Sequence, residues 1–323
     1  MSAHIGRRTL LAGMTVALAL PPRRVETQSS FKGRYFPINE FLALPKTYAS
    51  VTGGTLAIGF APGNLTLPNE EIAAWIKTSA EEVGSYLGSF PGRGAAILVV
   101  PAPGRGVQRG TAYPYDPGAV RIVVGTQVTG SELRDDWKLV HEFFHLAMPN
   151  VPAHLNWMHE GMATYAEPIA RVRGDRLSEK HLWASFVRMM PHGLPAIGDR
   201  GLDHTPTWGR VYWGGALFFL LADIEIRKRS DNRKGLADAL GGIGAKGGVF
   251  ASRWAPRRIF EVADEAIGTQ VFRDLHRIHG KAAVQVDLDA LWASLGIVPV
   301  SGNKVRFDQK APLSDLRRAI TAN

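Results

Sequence analysis

The chain has 323 residues, of which 45% are hydrophobic and 21% charged, with a formal net charge of +9 and no cysteine. That length and apolar content are enough for a substantial core in two lobes, which excludes a disordered or fibrous chain. Zero cysteine excludes disulfides, thiolate metal ligands and lipid attachment at a thiol. The basic excess is scattered, apart from short groups such as Arg227-Lys228-Arg229, Arg257-Arg258 and Arg317-Arg318. It reads as a solvated surface, and no nucleic-acid partner is expected.

In chain order, residues 1–24 read as an export signal. Arg7-Arg8 precede an apolar stretch from Leu10 to Leu20, and Ala17-Leu18-Ala19 offers a small-x-small cleavage site near residue 19. The apolar run is too short to span a bilayer, so no stable membrane insertion is expected once the signal is removed. The paired arginines resemble a twin-arginine signal, with a general secretory signal as the alternative. Either predicts a periplasmic or secreted protein of bacterial type.

Residues 31–68 are rich in Gly, Pro and β-formers, with a strand over 56–60. A helix follows to about residue 87, placing Ile72, Trp75, Ile76, Ser79 and Val83 on one face. Strands are predicted over 95–100 and 119–124, separated by a loop-rich segment from 101 to 116. The next helix is predicted over 131–148. Ser131 would cap it, its apolar face would carry Leu133, Trp137, Val140, Phe144 and Met148, and Pro149 would stop it. A second helix over 156–167 should end before Pro168. Helices over 178–190, 208–229, 233–243, 256–267 and 269–279 complete a mainly helical second half. The segment 211–226 reads as a core helix, and the glycines at 241, 242, 244, 247 and 248 as a flexible loop rather than a phosphate site. The division is thus 1–24, an α/β lobe over 25–150 and a mainly helical lobe over 151–323.

The chemistry concentrates in His141-Glu142-Phe143-Phe144-His145. On a helix, positions i and i+4 share a face, so His141 and His145 can grip one metal ion. Glu142 points about 100° away, toward a water on that metal. A catalytic zinc wants three protein ligands and an open position. Fourteen residues separate His145 from Glu160, which the segment Trp157-Met158-His159-Glu160-Gly161 offers as the third. His159 is the rival, but it would point to a different side of the helix. Thr164 and Glu167 lie one and two turns on, where either could orient a ligand or simply occupy the helix surface.

His-Glu-x-x-His followed by Trp-x-x-Glu-Gly-x-Ala-x-Tyr-x-Glu resembles the gluzincin metallopeptidases. It is most similar to the glycyl aminopeptidase-like family and to the thermolysin-like catalytic domain of the aminopeptidase N family. The resemblance implies an α+β thermolysin-like fold, with a mixed-sheet lobe, a helical lobe and one Zn²⁺ per chain between them. It also implies Glu142 as general base, Glu160 as ligand and an edge strand before the metal helix that lines the cleft. Residues 211–227 resemble the Tyr-x-x-Gly-Ala…Leu-x-Asp…Arg helix of the same families, where the tyrosine hydroxyl stabilises an oxyanion. Tyr212 matches that position, and its other reading is a core tyrosine. His204 is the runner-up, because a histidine does this work in thermolysin.

Two departures stand out. Arg109-Gly110-Thr111-Ala112-Tyr113-Pro114 lacks the acidic residue with which these families bind a free amino terminus, so exopeptidase action is not carried over. The gap between His145 and Glu160 is also shorter than in aminopeptidase N relatives. The expectation is an exported zinc-dependent metallopeptidase acting on a peptide or protein substrate, with a zinc-activated water and a glutamate base. The alternative is a zinc-binding, peptidase-like protein with a binding or scaffolding role and no hydrolysis.

Overall fold

A computed structural model of the chain describes residues 35–322; the expected export signal lies outside these residues. Five strands form a mixed sheet: β1 (Lys46–Val51), β2 (Gly54–Phe60), β3 (Gly94–Ala102), β4 (Val107–Tyr113) and β5 (Gly118–Gly125), in the order β1-β2-β3-β5-β4. The centre is parallel, β2 to β3 to β5, and both edges are antiparallel. The central strands carry near-continuous apolar residues, Ile97 to Val100 and Val120 to Val124, as expected of strands buried on both faces. One face is covered by α1 (Ile38–Ala43), whose Phe41 joins a small cluster with Phe36, Leu98 and Tyr113. The other face packs against α2 (Asn69–Leu87) and α4 (Lys138–His145).

From there a single apolar cluster continues into the helical half. It passes through α5 (Trp157–Arg173), α6 (Glu179–Met189) and α7 (Gly215–Arg229). Beyond them α8 (Leu236–Ala245), α9 (Pro256–Ile267) and α10 (Val271–Leu275) precede α11 (Leu288–Leu295), the hairpin of β6 (Ile297–Val300) and β7 (Lys304–Phe307), and α12 (Ser314–Thr321). The fold is thus α+β, a mixed sheet followed by a mainly helical half. Among the described residues, no helix is long and apolar enough to cross a membrane.

Several sequence expectations are corrected. The helix expected over 131–148 is two helices. The first is α3 (Gly130–Asp135), capped by Thr129 rather than Ser131: Thr129 Oγ1 accepts from Glu132 N, and the Glu132 carboxylate accepts from Thr129 N in return. The chain breaks at Asp136-Trp137, where Asp136 Oδ2 accepts from Leu139 N at 3.1 Å and opens α4. Trp137 therefore leaves the apolar face and is 46% exposed. Pro168 does not end α5, which runs on to Arg173. One backbone donor is missing there, yet Ile169 and Ala170 beyond it are fully buried, and that burial outweighs the loss.

The loop expected over 101–116 contains the edge strand β4, which pairs along β5 with a register shift between Val107 and Arg109. The glycine-rich segment is largely the end of α8. Leu240 and Ile243 bury its inner face, and a Cβ at Gly242 would lie 2.2 Å from Ala266 Cβ of α9, so a close helix crossing requires the glycine. The helix expected over 208–229 starts as a π-helical turn, Gly209–Gly214, before α7. The short, half-exposed β1, α1, β6 and β7 carried too little periodic signal to be anticipated.

Candidate active site

The site begins on α4. His141 and His145 sit one turn apart with ring centroids 4.9 Å apart, and both are buried. The first turn of α5 brings Glu160 across from them. Its Oε2 lies 3.1 Å from His141 Nε2 and 3.7 Å from His145 Nε2. Asn156, four residues earlier, donates from Nδ2 to Glu160 Oε1 at 3.3 Å. One ligand atom from each of His141, His145 and Glu160 falls within 4.8 Å of the others.

Two imidazole nitrogens and a carboxylate oxygen form the donor set that a borderline divalent cation such as zinc takes, with room for a fourth ligand. The protonation states of His145 and Glu160 fit. Burial, aided by the neighbouring His141 charge, pushes His145 down to about 3, so it is neutral and able to ligate. Burial alone would raise Glu160, but the hydrogen bond from His141 and the positive charge that both imidazoles carry at low pH outweigh it and hold the carboxyl at about 2, ionised near neutral pH. In His141 burial is opposed by the Glu160 hydrogen bond and by the Glu142 and Glu160 charges, which hold the imidazole above its usual value.

Glu142 faces the cleft between α4 and β4. Its Oε2 accepts from Ala112 N of the edge strand at 2.7 Å. Burial pushes its carboxyl up to about 7, against the lowering effect of His141. The strand comes this close because residue 110 is glycine: a Cβ there would sit 2.5 Å from Glu142 Cγ. Arg109, Gly110, Thr111 and Ala112 form one wall of a cleft of about 410 Å³, and Asn156, Glu160, Tyr212 and Phe250 stand on the others.

Tyr212 arrives from the π-helical turn, a helix distortion that recurs at functional sites. Burial and the Glu160 carboxylate push its hydroxyl up to about 12, so it is a phenol and a donor. The start of α7, into which the turn runs, is held against α5 by a glycine crossing, in which a Cβ on Gly161 would lie 2.4 Å from Gly215 Cα. The same two helices are tied deeper in the core by Tyr165, which donates to Asp223 Oδ2 at 2.8 Å, and by Arg227, which donates to Asp223 Oδ1 at 2.9 Å. At the near end Trp157 Nε1 donates to Asp203 Oδ1 at 3.0 Å, while His276 Nε2 pairs with Asp203 Oδ2 at 2.8 Å.

His141, Glu142, His145, Glu160 and Tyr212 therefore line one cleft. His159 does not join the three-residue group: its Nε2 pairs with Pro149 O at 3.0 Å, its ring packs on Phe250, and burial pushes it down to about 4. His204 is not on the cleft wall and is fixed through its backbone to Gly201 and Arg200. Glu167 turns to Arg171 at 3.1 Å and lines, with Thr164, a neighbouring cavity. Sequence reasoning missed Asn156, the Ala112 amide and Asp203. Only Asn156 left a signal, its i−4 spacing from Glu160.

No family model matches the chain, and no curated protein matches it. Solved structures do. An aminopeptidase N family protein from Idiomarina loihiensis is similar with a TM-score of 0.57 and 14% identity, covering 84% of this chain and 53% of that one. The chain shares the fold of the matched half of that protein. An M1 zinc metallopeptidase from Deinococcus radiodurans follows at 15% identity and a TM-score of 0.48, covering 76% of this chain and 53% of its own. A mutant of that protein has been solved with a Tyr-Ser-Ala substrate, at 16% identity and a TM-score of 0.48, covering 76% and 54%. This chain spans about half the length of the solved structures it matches. At such identities the likeness carries the fold alone, and the chemistry must rest on the residues of this cleft.

Proposed function

We propose that this chain is an exported zinc metallopeptidase that hydrolyses peptide bonds. Its export signal would be residues 1–24, its cleft-forming α/β lobe 25–150 and its helical lobe 151–323. His141, His145 and Glu160 would hold one Zn²⁺, and Glu142 and Tyr212 would act on the substrate. The observation that carries the reading is the convergence of two buried imidazoles and one ionised carboxylate beside a second, separately held carboxyl.

A zinc ion bound there would supply Lewis acidity toward a carbonyl and make water a better nucleophile near neutral pH. Glu142, with its carboxyl near 7, can take a proton from water and hand it to the departing amine. The Ala112 N–H on one oxygen fixes its orientation and leaves the other free. The Tyr212 hydroxyl donates toward negative charge that grows on the carbonyl oxygen. Edge strand β4 exposes backbone groups that an extended peptide can pair with.

The test is Glu142→Gln, assayed on peptides with free and with blocked amino termini. We expect bound zinc, measured by elemental analysis, to be unchanged and cleavage to fall by about a thousandfold or more. A variant with normal turnover would overturn the assignment. Zinc binding without cleavage in the unsubstituted protein would leave the binding or scaffolding role instead. The two peptide sets separate aminopeptidase from endopeptidase action.

A further inference from the structure

We propose that a second cavity, beside the first, receives a large aromatic side chain on a residue flanking the bond to be cut. The inference rests on the peptidase reading above and names the substrate class of that site.

The cavity measures about 500 Å³, a volume typical of ligand pockets. It opens off the catalytic cleft: Trp137, His141 and Tyr212 line both spaces. A group seated in it is therefore carried by a residue whose backbone lies beside the candidate metal ligands. Its remaining walls come from α5, α6 and the π-helical turn, with Phe186, Met189, Trp208 and Trp213 as the large apolar members.

Two of the aromatic walls are left in water. Trp208 is 57% exposed and Trp137 46%, although both are large hydrophobic side chains. Trp208 also packs against Tyr212, with ring centroids 6.3 Å apart and planes at 30°. A third ring inserted among these walls removes apolar surface from water on both partners and meets rings at edge and offset geometries. A small side chain would leave most of the cavity filled with water.

The polar wall is the Glu167–Arg171 pair, both members buried and joined at 3.1 Å. The two groups bond each other, so neither stands free to pair with a lysine or an aspartate. Thr164, His181 and Ser185 also line the cavity, so a phenolic hydroxyl finds polar neighbours among the apolar walls. Phenylalanine, tyrosine and tryptophan are accordingly the side chains the pocket takes.

The test uses the zinc-loaded full chain and a blocked peptide series that places Phe, Tyr, Trp, Leu or Ala on each side of the cleaved bond. On one side, an aromatic residue should raise kcat/KM over alanine by roughly tenfold to a hundredfold. Ser185→Trp, which fills the cavity from α6, should bring that ratio to about threefold or less, with folding checked by circular dichroism. If that variant does not fold, Met189→Ala, which enlarges the cavity, should shift the preference toward tryptophan. Equal rates for aromatic and alanine peptides, or a preference untouched by a folded pocket variant, would overturn the proposal. Binding of the same series to Glu142→Gln, read by calorimetry, separates the two readings. Aromatic-selective binding lost in the pocket variant, with no cleavage of any peptide by the unsubstituted chain, would leave the pocket standing and remove the peptidase. Binding without aromatic preference would remove the pocket alone.

Discussion

The two walls of the cleft are built by different means. On one, α4 and the first turn of α5 hold ligand atoms of His141, His145 and Glu160 within 4.8 Å of one another, with both imidazoles buried. Their spacing follows from helix geometry, because residues four apart share a face. On the other, Tyr212 is half-buried, Trp208 is mostly in water, and their place depends on the π-helical turn and the glycine crossing of Gly161 against Gly215. A wall set by one helix is locally determined, whereas a wall set by two helices meeting is only as firm as their crossing. Damage to the first should abolish metal binding outright, and damage to the second should be graded and leave the metal in place.

The largest expected effect is on the first wall. Glu160→Ala should lower zinc affinity by more than about a hundredfold, because it removes the only carboxylate in the group. Competition with a chromogenic chelator measures it, and zinc retained at full affinity would show that another residue completes the site. On the second wall, Tyr212→Phe should lower kcat by about a hundredfold with zinc content unchanged. An unchanged kcat would remove the tyrosine from the reaction.

Gly161→Ala tests the crossing itself. The added methyl meets Gly215 backbone at 2.4 Å, and the helices must part. A loss of about 1–3 kcal/mol of stability is expected by denaturant unfolding, with a lower kcat and zinc still bound. Equal loss of zinc and turnover would mean that the two walls are not separable.

The smallest effect should come from Asp203→Asn, behind both walls. Burial would raise the Asp203 pKa, but the hydrogen bonds and charge of His276, with the bond from Trp157, hold it below its ordinary value of 3.8. A depressed folded pKa contributes stability that is fully present above the unfolded value and fades as pH falls through the folded one. The substitution should therefore cost about 1–2 kcal/mol at pH 7, shrinking toward zero below the ordinary value. A deficit independent of pH would show that the carboxylate charge plays no part.

The legibility of the molecule in its sequence divides along the same line. The placing of His141 and His145 on one helix face, of Glu160 rather than His159 toward them and of strands before helices could all be read from periodicity and spacing. The break at Asp136-Trp137 could not, because the apolar periodicity runs through it while the caps at Thr129 and Asp136 set two separate helix starts. Pro168 misled because a helix whose far end is buried tolerates one missing donor. Strand β4 hid in a segment of Gly, Arg and Pro because an edge strand is held by its pairing with β5, not by its own apolar pattern.

The sequence alone determined which groups the helices present: two imidazoles a turn apart on one face, a carboxyl turned about 100° from them and a third candidate ligand at the start of another helix. These are short-range consequences of a 3.6-residue turn. Only the tertiary structure decided what those groups meet. It placed Glu160 against His141, closed the Ala112 amide onto Glu142 where Gly110 leaves room, brought Tyr212 in across two glycines, and sent His159 to Pro149 and His204 away from the cleft. Each of these depends on distances between elements far apart in the chain, which are fixed by how side chains fill a shared core and not by the order of residues within any one element.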